Sequence, residues 1–370
     1  MSKFVLSVAS LSIVLAGCAL AEGGEGNTNA DATTYVWPDA RLPPDAAGQG
    51  GDGSTASGND AATLQGRNGY PGDFPELTDS GGFGAGEIIA GFGGNDTTDR
   101  TGNRATIARR PVIMLHGNGT NATSDTFGMT HMRDMLIAAG YNAAELWAPS
   151  YLGQSVSLAE TPTPHRTNVQ DVRAFIDAVL DYLDVPAVDI IAHSLGCGLA
   201  NAYMRGMTTS GTFDDADHRM DKVSSVVCLG GAMYGTGYGF LYAPEFDIGG
   251  TFSSAMLSWS GVEDPTPYGA GNEANMIAPA AGMIPGARPF KLATTADDGS
   301  RRIYWAALWA TGDIVDGNLA GGCGLQGADL NQGFDLPGTL PGVLTPAMAK
   351  HGHLLRNQGV FDTLLPFLNR

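Results

Sequence analysis

In the stretch DIIAHSLGCG, residues 189 to 198, Ser194 stands between an apolar run and a glycine-rich one. That arrangement fits either an ordinary strand end or a sharp strand-to-helix turn that thrusts a hydroxyl outward. A turn of the second kind needs small residues two before and two after the serine. Ala192 and Gly196 occupy those places. The usual pattern is Gly-x-Ser-x-Gly, with alanine here replacing the first glycine. The same turn leaves the backbone N–H of Leu195 at a helix N-terminus, where negative charge is stabilised.

A serine hydroxyl becomes a strong nucleophile only when a base takes its proton, and the base needs a carboxylate to orient it. In a strand-turn-helix setting the partners follow in the order acid, then histidine. TGDIVDG, just after the apolar run RIYWAALWA, supplies Asp313 and Asp316. Asp313 is nearer the strand end and is the expected acid, Asp316 the alternative; the plain reading of either is a turn aspartate. KHGHLLRN, read as a loop before the last helix, supplies His351 and His353. His353 is the expected base and His351 the alternative. His218, in FDDADHRMD, precedes any such acid. A second donor to an oxyanion is expected from MLHGNGTN, where Gly117 and Gly119 allow a sharp turn and the N–H of Asn118 can face Ser194. His116 is expected to prop that loop, and His193 to pack beside the serine.

These residues need a scaffold, and the hydrophobic pattern supplies one. PVIMLH (111 to 116), AAELWAP (143 to 149), AVDIIAH (187 to 193), KVSSVVCLG (222 to 230) and RIYWAALWA (302 to 310) read as buried strands. TFGMTHMRDMLIAAG (126 to 140) reads as a helix. A clearer one runs from Thr167 to about Asp184, with Val169, Val172, Phe175, Ile176, Val179, Leu180 and Leu183 on one face. Thr167 or Asn168 can cap it. LGCGLANAYMRGM follows Ser194 as a helix, and GVFDTLLPFL (359 to 368) closes the chain. Strands alternating with helices predict a mostly parallel sheet with helices on both faces. The alternation stops between Gly231 and Arg301, a stretch rich in Gly, Tyr, Phe and Met that reads as an inserted cap.

The chain has 370 residues, enough for a sizeable core, and 43% of them are apolar against 16% charged. Its formal charge of −18 repels phosphate backbones and argues against nucleic acid as a partner. Lys3 and the apolar run from Phe4 to about Gly17 have the proportions of a signal peptide rather than a membrane span. Leu15-Ala16-Gly17-Cys18 resembles a bacterial lipobox, which predicts lipidation of Cys18 and a membrane anchor. The alternative is plain secretion with cleavage after Ala21. Residues 19–79 are rich in Gly, Ala, Asp, Thr, Asn and Pro and read as a flexible acidic tether, leaving 80–370 as the catalytic domain. Of the remaining cysteines, Cys197 reads as a small buried hydrophobe, while Cys228 and Cys323 are candidates to pair. The acidic loop DDADHRMD (214 to 221) reads as a solvated face rather than a calcium site. No cofactor or metal constellation is expected.

Together PVIMLHGNGTN, GYNAAELWAPSYLG, VDIIAHSLG and GHLLRN resemble the alpha/beta-hydrolase class 2 lipases of the Ala-x-Ser-x-Gly type. They resemble still more the extracellular poly(3-hydroxybutyrate) depolymerases that attack amorphous polymer without a separate binding domain. GGFGAGEIIAGFGG (81 to 94) adds to that likeness, which runs from about Gly81 to the C-terminus and is weakest in the insert. The resemblance implies an alpha/beta-hydrolase fold, Ser194, Asp313 and His353 as a triad, and Asn118 and Leu195 as oxyanion donors. It also implies a hydrophobic ester or polyester as substrate.

Overall fold

The computed structural model describes residues 66–79, 86–117, 120–151, 165–209, 214–231, 276–277, 290–291, 303–313, 325 and 328–370. The expected signal segment, Cys18, the tether up to residue 65, most of the insert, Asn118, Asp316 and Cys323 lie outside the described residues; residues 66–79, read from sequence as the end of the tether, instead carry Tyr70 and Phe74 into the core.

Apolar alternation builds the sheet. Its strands are β1 (Gly91–Gly93), β2 (Val112–Leu115), β3 (Leu146–Pro149), β4 (Val188–His193), β5 (Val223–Leu229), β8 (Tyr304–Ala310) and β9 (Leu330–Phe334), in the order β1-β3-β2-β4-β5-β8-β9. β1 runs antiparallel to β3 and the other pairings are parallel. A separate two-strand ladder joins β6 (Met276–Ile277) to β7 (Phe290–Lys291) within the insert. Of the seven strands of the main sheet, β1 and β9 escaped the sequence reading, as did the short β6 and β7 of the insert. β1 is three residues holding two glycines, and β9 (LNQGF) has little apolar content, so neither has a period-2 signal to read.

Side chains alternate across the sheet and bury both faces. Ile113, Leu115, Ile190, Ala192, Val226 and Trp305 face a core shared with α3 (His165–Leu183) and α4 (Leu195–Met204). Val112, Met114, Ile191, Val227, Ala306 and Leu308 face a second core shared with α2 (Thr130–Ala138) and α6 (Gln358–Leu364). A mostly parallel seven-stranded sheet with helices on both faces and a strand-turn-helix at Ser194 is the alpha/beta-hydrolase fold, as expected. A short helix α1 (Arg100–Thr106) lies before β2, and its Arg104 Nε donates to the Tyr182 carbonyl of α3 at 2.9 Å.

Three local expectations are corrected. α3 begins by His165, so Thr167 and Asn168 lie inside its first turn instead of capping it. The segment carrying His351 and His353 is a helix, α5 (Pro346–His353), capped by the Thr345 side chain accepting from Met348 N–H at 3.3 Å. Cys197 is bonded to Cys228 in a disulfide with Cα atoms 5.3 Å apart. Cys197 is fully buried and Cys228 nearly so, so burial and pairing coexist. Closing the 31-residue separation contributes about 3–4 kcal/mol on a chain-entropy account.

At the N-terminal end of the sheet, Arg110 Nη1 lies 2.8 and 3.0 Å from the two Asp189 oxygens. Asp189 also accepts from Ser225 Oγ at 2.7 Å and from the Asn369 backbone N–H at 2.8 Å. Arg110 Nη2 donates to the Arg370 carbonyl at 3.0 Å. The pair is buried, with side-chain exposures of 5% and 0%, and it ties the last residues of the chain to the foot of β2, β4 and β5.

Candidate active site

Ser194 ends the run of β4 and is the N-cap of α4, at φ 54° and ψ −118°. A non-glycine residue avoids this backbone region, at a cost of about 1–3 kcal/mol. Three neighbours enforce it. Ser194 N–H donates to Leu229 O at 2.9 Å, and Cys197 N–H donates back to Ser194 O at 3.1 Å. The Cys197–Cys228 disulfide then pins the first turn of α4 to β5. Two residues on, Gly196 has no room for a side chain. A Cβ there would stand 2.7 Å from Leu115 O and 2.8 Å from His116 O. The small-residue spacing seen in the sequence is thus a demand of backbone approach between α4 and β2. α4 begins at Leu195, so its N–H is among the helix's unsatisfied first donors, beside the half-exposed Ser194.

The loop leaving β2 passes over the serine. A Cβ on Gly117 would lie 3.1 Å from Ser194 Cβ and 3.6 Å from Ser194 Oγ. Asn118 follows, outside the described residues. His116 props this loop as expected. Its Nδ1–H donates to Gly117 O at 2.8 Å, and its ring stacks on Tyr151 with centroids 4.1 Å apart. Tyr151 Oη–H donates to the His116 carbonyl.

Of the two candidate acids, Asp313 falls among the described residues, three beyond the end of β8 and buried. Its Oδ2 is 3.1 Å from Nδ1 of His351. A carboxylate accepts, so Nδ1 of His351 carries the hydrogen and Nε2 keeps a lone pair. His353, the base favoured from sequence, is turned elsewhere: its Nε2–H donates to Thr339 O at 2.8 Å. The physical reason is the helix. Residues two apart on an α-helix are rotated by about 200°, so α5 can aim only one of the two inward. His351 is buried and His353 half-exposed. Sequence alone treated the segment as a loop, in which that constraint does not operate.

His218 lies on the far loop, where its Nδ1 accepts from Met220 N–H at 3.3 Å. In the same acidic loop Asp217 is bound by Arg173 and, at 3.0 Å, by Arg219 Nη1. Hydrogen bonding from Arg173 holds its carboxyl below the usual range. Among the described residues no group of three or more His, Cys, Asp or Glu side chains could hold a metal ion.

Burial pushes His116 down from the usual 6.5 to about 4, partly offset by its bond to Gly117. The folded pKa lies below the unfolded one, so the unfolded chain gains a proton that the folded chain refuses. Stability is therefore full above about pH 6.5 and lost as pH falls toward 4. At pH 5 the loss from His116 is about 2 kcal/mol. The check is urea unfolding at pH 7.5 and 5 in wild type and His116→Phe. The variant should show the smaller drop; equal drops would mean that His116 is not held neutral by the fold.

Residues 109–245 match the sequence model of the lipase (class 2) family. The span holds the loop after β2, the strained serine and the disulfide. Among solved structures the chain is similar to the mature lipase BlEst2 of Bacillus licheniformis, at 12% identity over 71% of this chain and 93% of that one, with a TM-score of 0.41. It is also similar to an extracellular alpha/beta-hydrolase of a Paenibacillus species, at 14% identity over 56% and 80%, TM-score 0.29. A gene product of Listeria innocua matches at 12% identity over 70% and 93%, TM-score 0.36.

Proposed function

We propose that the chain is a lipolytic serine hydrolase that cleaves carboxylic esters. Two observations carry this reading: the buried Asp313–His351 contact, and the strained serine at the head of a helix. The match to class 2 lipases over residues 109–245 supports it independently.

In this mechanism Ser194 Oγ attacks the ester carbonyl while His351 Nε2 takes its proton. Asp313 holds Nδ1–H and stabilises the imidazolium. The N–H of Leu195 receives the developing oxyanion, with Asn118 as its expected second donor. His351 then gives the proton to the leaving alkoxide, which departs as alcohol and leaves an acyl-serine. Water, deprotonated by His351, hydrolyses the acyl-serine and restores the hydroxyl.

The substrate class we propose is a water-insoluble ester, either triacylglycerol or polyester such as amorphous polyhydroxybutyrate. Support comes from the resemblance of the motifs and from the aromatic and methionine content of the insert between Gly231 and Arg301. We further propose export and anchoring through Cys18. A disulfide between Cys197 and Cys228 suits an oxidising compartment, and Cys18→Ser should abolish lipid labelling. Unlipidated wild-type protein beginning at Glu22 would point to plain secretion.

The test of the reading is twofold. A fluorophosphonate should label wild type at Ser194 and leave Ser194→Ala unmodified. Amorphous polyhydroxybutyrate, a triglyceride and short p-nitrophenyl esters should then rank the substrates. A wild-type chain that neither reacts nor hydrolyses any of them is a binding protein on a hydrolase scaffold.

A further inference from the structure

His193 closes β4 one residue before the nucleophile and is 1% exposed. Its Nε2 lies 3.2 Å from the backbone carbonyl of His351. A carbonyl can only accept, so Nε2 bears the hydrogen and Nδ1 a lone pair. The acceptor is informative. His351 belongs to the last four residues of α5, whose carbonyls have no partner within their own helix. The His193 N–H satisfies one of them, and the two imidazoles meet with centroids 4.3 Å apart at 40°. Gly230, at φ 57°, closes the other side of the slot. A Cβ there would stand 2.9 Å from both Nδ1 and Cε1 of His351. Burial first, and the neighbouring His351 second, hold His193 well below the usual histidine pKa, so it is a neutral neighbour to a base that must become a cation.

We propose that His193 is a positioning residue for the reaction: its Nε2–H anchors the His351 carbonyl and its ring backs the His351 imidazole, keeping the base aimed between Asp313 and Ser194. This rests on the reading of His351 as the base. Burial alone would be served as well by any apolar side chain of similar size. The specific element is a donor at the Nε2 position, which no aliphatic or phenyl group provides.

The experiment compares His193→Phe, His193→Gln and His193→Asn on a soluble p-nitrophenyl ester. Phe keeps a ring without the donor. The Gln amide nitrogen reaches about where Nε2 sits, while the shorter Asn amide matches Nδ1. Misplacing a base by about 1 Å costs up to about 100-fold. His193→Phe and His193→Asn should each lose about 10- to 100-fold in kcat with KM changed less than about twofold, and His193→Gln should recover most of it. Should the Phe variant not fold, the contrast between Gln and Asn decides. Equal kcat in Gln and Asn, or a Phe variant within about twofold of wild type, overturns the proposal. A wild type inactive on every ester instead overturns the functional reading beneath it, so the two failures are distinguishable.

Discussion

His351→Ala should abolish turnover about as completely as Ser194→Ala, while His353→Ala should keep most of it. The expected loss for either of the first two is roughly 10⁴- to 10⁶-fold in kcat, and the double variant should be little worse than each single one, because nucleophile and base act as a unit. The prediction follows from one contact. Asp313 Oδ2 meets His351 Nδ1 at 3.1 Å, whereas His353 spends its Nε2–H on the Thr339 carbonyl. Asp313→Asn belongs to the same set. It should keep the geometry but favour the wrong tautomer of His351, at a cost of up to about 10⁴-fold. Initial rates on a soluble ester, with a thermal melt for each variant, decide the matter. A dead His353→Ala beside an active His351→Ala would return the base to the position favoured from sequence.

The second large effect is on stability. Arg110→Met should lower the unfolding free energy by about 3–5 kcal/mol, because it leaves the Asp189 carboxylate buried without its counter-charge. Against a typical total of about 5–15 kcal/mol that is a severe loss. Joining Asp189→Leu to it removes the stranded charge, yet Ser225 Oγ and the Asn369 N–H then lose their acceptor, so recovery should be incomplete. The network sits five residues before Ser194 on β4, about 17 Å along an extended strand. Turnover of the folded fraction should therefore hold while the urea midpoint drops. An unchanged midpoint in Arg110→Met would show that the pair is not what secures the foot of the sheet.

That network shows what was half-legible in the sequence. Asp189 inside an otherwise apolar strand is the mark of a buried partnered charge, but its partner lies 79 positions away and no spacing rule points to Arg110. The central strands were legible because burial on both faces writes continuous apolar runs into them. β9 was not, since the burial pattern along LNQGF is mostly exposed. The disulfide was misread for a related reason. Both Cys197 and Cys228 stand in apolar, strand-and-helix contexts, and only the parallel pairing of β4 with β5 brings α4's first turn over the end of β5.

The elbow was legible from its local pattern. A serine flanked by small residues at −2 and +2, between an apolar strand and a helix, is a local pattern, and the backbone approach of Gly196 to Leu115 and His116 is its direct physical counterpart. Chain order likewise pointed to an acid after β8 and a histidine near the C-terminus as neighbours, and Asp313 and His351 do meet, because parallel strands deliver their following loops to one edge of the sheet. Which of His351 and His353 meets Asp313 was settled by folding. The choice rests on the rotation of one helix about its axis relative to Asp313, and two histidines two residues apart carry no local sign of which one that rotation turns inward.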